Sequence, residues 1–319
     1  MKVLMWHVHG SWSTAFVQGM HDVVVPVLPD RGRNGLGLPT TYTWPETVRE
    51  MSPEQLARED FDVVILQRPE EIALVQQWTG RRAGVDLPAV YVEHNTPKPS
   101  AFDSEHPMSG QRRIPIAHVT HYNALMWDNG EAPVRVIEHG IPDPGHRYSG
   151  MLPRVACAVN EPVRRGRVTG TDLIRHFAAV ADVDVFGMGT QPLTTSSFPH
   201  EVIGHGDLPH AAMHDLLAHR RVYAHLCRYT SLGLSLLEAM YLGMPVVALS
   251  VTEAPEALAG SAAVVSNDLQ RLQIAVRDYL HDPDRAVSDG RSNRAHVLAR
   301  HALPRFHAEW DQLLKEVLG

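Results

Sequence analysis

Short runs of β-branched and other apolar residues recur along the chain, and between many of them lie stretches with apolar positions at helical spacing. In the first half these runs predict strands at 3–7, 23–27, 63–67, 89–93, 116–119 and 134–137. A helix is predicted over 52–58, where Ser52 can cap the first turn, Pro53 suits its opening position and Gln55 can reach back to complete a capping box. The strands are apolar throughout, which places them in sheets covered on both faces. Such strands alternating with helices make parallel, doubly wound α/β sheets.

The rhythm breaks at 140–153, where Gly140, Pro142, Pro144, Gly145, Gly150 and Pro153 read as a linker. It then restarts, with strands predicted at 155–159, 183–186, 222–226, 246–249 and 263–265, and the last fifty residues wholly helical. The expected organisation is a Rossmann-like domain over 1–147, a second over 148–303, and a final helix over 304–319 free to pack back on the first. Two such domains are expected to face a central cleft at the carboxyl ends of their strands, the edge where open α/β sheets bind ligands. The Gly-, Pro- and Thr-rich stretch 28–45 has no periodicity and suits either a lid or a plain connection.

Composition narrows the function class. The chain has 319 residues, 44% hydrophobic and 20% charged, with a formal net charge of −7, so it is globular and has no overall attraction for nucleic acid or anionic membrane. No run reaches the roughly 18 continuous apolar residues of a membrane span, and the N-terminus lacks the features of a signal peptide. A soluble, cytoplasmic protein is expected. Cys157 and Cys227 each lie in an apolar run that reads as buried strand, which suggests reduced thiols, although the sequence also permits a bridge. Among 20 histidines, His210 and His214 stand four apart on a predicted helix and could share a metal. No third ligand is evident and no zinc-type Cys/His spacing occurs, so no metal is expected.

The richest chemistry lies at Thr230-Ser-Leu-Gly-Leu-Ser-Leu-Leu-Glu238-Ala-Met-Tyr-Leu-Gly243-Met-Pro245. A strand ends near Leu226, a loop with Gly233 leads into a helix over 235–242, and Pro245 opens the next strand. Gly233 lets backbone approach a ligand, and the unpaired amides of Leu234 and Ser235 at the helix start suit a diphosphate. Glu238, about one turn further in, can accept hydrogen bonds from ribose hydroxyls. The plain alternative is an ordinary strand–helix–strand unit with a solvated glutamate.

This segment resembles the signature of family 4 of the retaining glycosyltransferases (glycosyl transferases group 1), as does the downstream Thr252-Glu-Ala-Pro-Glu256 turn. Val136-Ile-Glu-His-Gly140-Ile-Pro-Asp143 is similar to that family's passage into the linker, and Val183-Asp-Val-Phe-Gly187-Met-Gly189 to its strand ending in Gly-x-Gly. Together the resemblances run from about residue 134 to the C-terminus. They imply the two-domain GT-B fold and transfer of a sugar from a nucleotide diphosphate sugar to a small-molecule or saccharide acceptor, with retention and without a metal or other cofactor. In such enzymes fixed cations and amides stabilise the leaving diphosphate. Arg165-Gly166 matches the family's Lys-Gly in the loop after the first strand of the second domain, which implies a diphosphate contact for Arg165, with Arg164 and Arg167 nearby. The resemblance and topology also place Gly187, His205, Ser231, Gly233, Leu234, Ser235 and Glu238 at the donor.

Two departures stand out. The family's first glutamate falls on Thr230, which can hydrogen-bond but carries no charge, and its first loop arginine falls on Asn160. The charged role could pass to a neighbour such as Arg228, the donor sugar could differ, or catalysis could be lost. In the first domain His94, ending Tyr91-Val-Glu-His94, matches a strand-end histidine near the reacting sugar, and Gly10 follows the first strand on the same edge, in a loop expected to face the donor diphosphate or the acceptor. The 67–70 and 118–121 segments end neighbouring strands at that edge. Three function classes follow: a retaining glycosyltransferase, an inactive GT-B protein that binds a nucleotide-sugar or serves as a partner subunit, and, with least support, a sugar-nucleotide epimerase.

Overall fold

A computed structural model describes residues 1–98 and 100–319. The chain forms two compact units, Met1–Pro142 with Leu303–Gly319, and Asp143–Ala302.

In the first unit the strands are β1 (Lys2–Met5), β2 (Asp22–Pro26), β3 (Arg49–Met51), β4 (Val63–Leu66), β5 (Ala89–Glu93), β6 (Ile116–His118) and β7 (Val134–Val136). They form one parallel sheet in the order β3-β2-β1-β4-β5-β6-β7. Successive strand residues point to opposite faces. Val3, Met5, Val23, Val25, Val63 and Ile65 therefore pack with Trp12 and Phe16 of helix Gly10–Val17 on one side. Leu4, Trp6, Val24, Val64 and Leu66 pack with Leu56, Val75 and Trp78 on the other. The last helix, Leu303–Leu318, lays Phe306, Trp310, Leu313 and Leu314 against the Trp12 face.

The second unit contains β8 (Leu152–Ala158), β9 (Val183–Phe186), β10 (Val202–Gly206), β11 (Arg220–His225), β12 (Val246–Ala248) and β13 (Val264–Val265). Their order is β10-β9-β8-β11-β12-β13, again parallel. Val155, Cys157, Val183, Val185, Val222 and Val247 share a core with Phe177, Leu272, Val276 and Tyr279. In each sheet the order reverses beside the first strand, between β1 and β4 and between β8 and β11. Loops leaving the carboxyl ends of those pairs diverge and open a crevice for ligands.

Two strands lie outside the sequence expectation. Arg49-Glu-Met and Val202-Ile-Gly-His-Gly are edge strands, paired on one side only, so neither needs the continuous apolar run that marks the central strands. The helix expected over 52–58 is a single turn, Pro53–Leu56, in which the Ser52 amide donates to Gln55 Oε1 at 2.8 Å. Cys157 is buried in β8, whereas Cys227 lies just past the end of β11; both are free thiols. Among the described residues no helix is long and apolar enough to cross a membrane.

Candidate donor site in the second unit

Three loops meet at the switch point of the second sheet. After β8 the chain turns at Glu161, in the left-handed region at φ 52°, and the Glu161 amide donates to Met188 O at 2.7 Å. Asn160 Oδ1 accepts from the Met188 amide at 3.0 Å, so this side chain ties the loop after β9 to the end of β8. Gly187 lies at the crossing with φ 119°, and a Cβ there would come within 2.3 Å of Val159 O. Only glycine fits.

The arginine loop follows. Arg164 pairs with Glu161 and Arg167 with Asp172, whereas Arg165 is half-buried and has no ion-pair partner among the described residues. Its charge is felt across the switch point: burial pushes the Cys227 thiol up to about 11, and Arg165 opposes that rise. The loop is stitched to the end of β11, because the amides of Arg228 and Tyr229 both donate to Val168 O. Arg228 itself is held by Asp172, with Nη2 2.9 Å from Oδ2.

After β11, residues 227–233 lead into helix Leu234–Leu242. No side chain caps this helix, and Leu234 and Ser235 are half-buried at its start. Ser235 Oγ accepts from Tyr223 Oη at 2.9 Å and donates to Ala158 O at 3.3 Å, which pins the helix start between β8 and β11. Gly233 packs on the buried His225 ring, and burial lowers that imidazole to about 4, so it is neutral. Thr230 is half-buried in the loop and Ser231 is buried.

Glu238 is 5% exposed. Its partners come from the neighbouring helix His210–His219: His210 Nε2 is 3.0 Å from Oε1, and His214 Nε2 is 3.4 Å from Oε2. Burial pushes the Glu238 carboxyl up, but the two imidazoles outweigh it and hold the group down at about 2. Burial pulls His210 down, and the Glu238 hydrogen bond and charge more than reverse this. Glu238 is thus an ionised carboxylate inside the protein. Sequence reasoning identified the two histidines as a spaced pair and missed that their partner is Glu238. Their fourfold spacing put both on one helix face, but nothing local said which side chain that face meets.

The remaining candidates fall elsewhere. His205 stacks on Phe186 at 4.5 Å and sits 2.7 Å from Asp184 Oδ1, in a buried cluster where Asp184 also holds Arg154 and Arg220. In the first unit His94, after β5, lies 3.0 Å from Gln67 Oε1 and stacks on His9 at 3.9 Å. Burial drives His94 well below the usual histidine range and His9 to about 4. An open hollow of about 420 Å³ adjoins them, lined by His7, His9, Gln67, Arg68 and Asn95 among others. Gly10 starts helix Gly10–Val17 under the Tyr42 ring, where a Cβ would come within 2.6 Å of Cε2. Tyr42, from the 28–45 stretch, also lies 3.1 Å from Ser11 Oγ through its hydroxyl.

Residues 197–295 match the family model described as glycosyl transferases group 1. The match takes in both histidines and Glu238 and stops short of the 160–167 loop. A solved sucrose-phosphate synthase from Thermosynechococcus elongatus superposes with a TM-score of 0.73 at 14% identity, over 99% of this chain and 99% of that one. The fold is GT-B. HepE of Anabaena, solved with UDP, shares this GT-B architecture with a TM-score of 0.71 at 14% identity, over 99% and 100% of the two chains. S. aureus TarM aligns over 79% of this chain at 13% identity with a TM-score of 0.63, and there the chain spans 54% of TarM's length. Comparison with curated protein sequences returns no match. Within the GT-B frame the Glu238 helix follows the strand beside the switch point of the second sheet.

Proposed function

We propose that this protein is a cytoplasmic glycosyltransferase that moves a sugar from a nucleoside diphosphate sugar to an acceptor, with retention and without a metal in the chemical step. The observation that carries the reading is the buried, ionised Glu238 one turn inside an uncapped helix at the switch point, within the segment matching group 1 glycosyl transferases. A buried carboxylate can accept two ribose hydroxyls, while the amides of Leu234 and Ser235 and the Arg165 guanidinium face the diphosphate. As the glycosidic bond breaks, negative charge grows on that diphosphate, and a cation not already neutralised by a carboxylate stabilises it best. Arg165 meets that condition. HepE, the similar fold, has been solved with UDP-glucose. In this reading the second unit binds the donor and the first unit takes the acceptor. The neutral His94 is suited to polarising a hydroxyl of a bound sugar.

The test is a panel of nucleoside diphosphate sugars with candidate acceptors, followed by mass spectrometry for diphosphate release and proton NMR for the product's anomeric configuration. Glu238→Ala is expected to raise the donor KM by roughly 10- to 150-fold, the loss of hydrogen bonds to a charged acceptor. Arg165→Ala is expected to lower kcat by about 10²- to 10³-fold. Turnover insensitive to both substitutions, or inverted product, would overturn the reading.

A second reading has its own support. Thr230 brings no charge, and Arg228, the neighbour able to substitute, is committed to Asp172. An inactive nucleotide-sugar-binding protein would bind donor in the same panel and release no diphosphate with any acceptor.

A further inference from the structure

The Glu238 cluster has the makings of a second kind of site. His210, His214 and Glu238 each offer one ligand atom, and these atoms lie within 4.8 Å of one another. The two imidazole–carboxylate separations are 3.0 and 3.4 Å. A tetrahedral ion with bonds of about 2.0–2.1 Å sets its ligands about 3.3 Å apart, and each imidazole stands near that spacing from one carboxylate oxygen, His210 from Oε1 and His214 from Oε2. His214 supplies an independent sign. It is 5% exposed, and its buried Nε2 meets Glu238 Oε2 at 3.4 Å, a long contact for a hydrogen bond. A buried nitrogen in so long a contact is weakly satisfied, and a bound ion would satisfy it fully. The two histidines stand one helical turn apart, the spacing by which a helix presents two nitrogens to one ion. His210 is the most exposed of the three, with 36% of its side-chain surface open to solvent.

We infer that His210, His214 and Glu238 form a three-ligand site for a divalent transition-metal ion of the zinc class. Imidazole and carboxylate donors in this number suit zinc or cobalt better than magnesium, which prefers an all-oxygen octahedron. The ion is not a participant in sugar transfer. It binds the carboxylate that the donor ribose needs, so metal and nucleotide exclude one another and the ion acts as a brake; this second clause rests on the proposed donor site.

The experiment uses the full chain, stripped of metal by dialysis against chelator. Zn²⁺ affinity is read by competition with a chromophoric chelator, and Co²⁺ coordination by its visible absorption. One equivalent is expected to bind, with affinity weakened by more than about a hundredfold in His214→Ala and in Glu238→Gln, beyond the loss that removing an outer-shell partner causes. His210→Ala, at the more exposed ligand, guards against misfolding of the buried variants and is expected to weaken binding as well. His200→Ala, whose imidazole pairs with Asp182 instead, is expected to leave it unchanged. No stoichiometric binding, or binding indifferent to all three ligand substitutions, overturns the site. UDP is then added to the zinc-loaded protein and is expected to lower its apparent zinc affinity. If ligand-dependent binding holds but UDP leaves it unchanged, the metal site stands and the placement of the ribose on Glu238 falls.

Discussion

Gly233 sits where a side chain would collide, since a Cβ there would lie 2.5 Å from Cε1 of the His225 ring. Its φ of −73° and ψ of 118° suit any residue, so alanine would ordinarily gain stability from a less flexible unfolded chain. Here the collision should win, because His225 is buried and its ring has little room to move. Gly233→Ala is expected to destabilise the second unit by about 1–3 kcal/mol, as overpacking does. Adding His225→Ala to that variant should return part of the loss, and strictly additive effects in urea denaturation would count against the contact. The sequence showed a glycine before a helix and suggested that a ligand approaches it. The structure adds a ring from the preceding strand, a tertiary contact that no local pattern encodes. The same limit applies to His210 and His214: their shared face was legible, the carboxylate it meets was not.

At the level of elements, the central strands were readable because burial on both faces demands an unbroken apolar run, as in Val63-Val-Ile-Leu. Arg49-Glu-Met and Val202-Ile-Gly-His-Gly escaped because an edge strand tolerates charge and glycine. The Glu238 helix was readable from both ends, with Gly233 before it and Gly243, in the left-handed region at φ 88°, closing it. The final helix is strongly amphipathic, and its buried stripe of Phe306, Trp310, Leu313 and Leu314 meets Trp12 and Phe16. Trp310 packs edge-on against Trp12 at 5.4 Å and Phe16 at 5.5 Å. Trp310→Ala should therefore cost about 3–5 kcal/mol and lower the unfolding midpoint of the first unit. A midpoint unchanged by the substitution would mean that this helix is not part of the cooperative core.

Across the whole molecule, the histidines set the response to acid. Burial lowers His9, His118 and His225 each to about 4, and His94 further, so all four are neutral in the folded protein at neutral pH. The unfolded chain binds protons near pH 6.5, where the folded one does not. Stability is therefore complete above about pH 6.5 and is lost as pH falls towards 4. The unfolding temperature should drop steadily between pH 7 and 4.5, and a flat profile over that interval would contradict the burial of these rings. The doubly wound class was legible as alternation of strands and helices, and His94, His118 and His225 were legible as strand or strand-end residues, whereas their burial was not, because a strand-end position does not by itself disclose it.

The return of Leu303–Leu318 to the first unit also fixes a sequence of events during synthesis. Phe306 and Trp310, the aromatic partners that cover Trp12 and Phe16, are translated only after all of the second unit. The nascent first unit must wait with an uncovered aromatic face while all of the second unit is translated. Of the two units, the one begun first is thus completed last, and a chain cut before Phe306 would carry every residue of the second unit without the aromatic cover of the first.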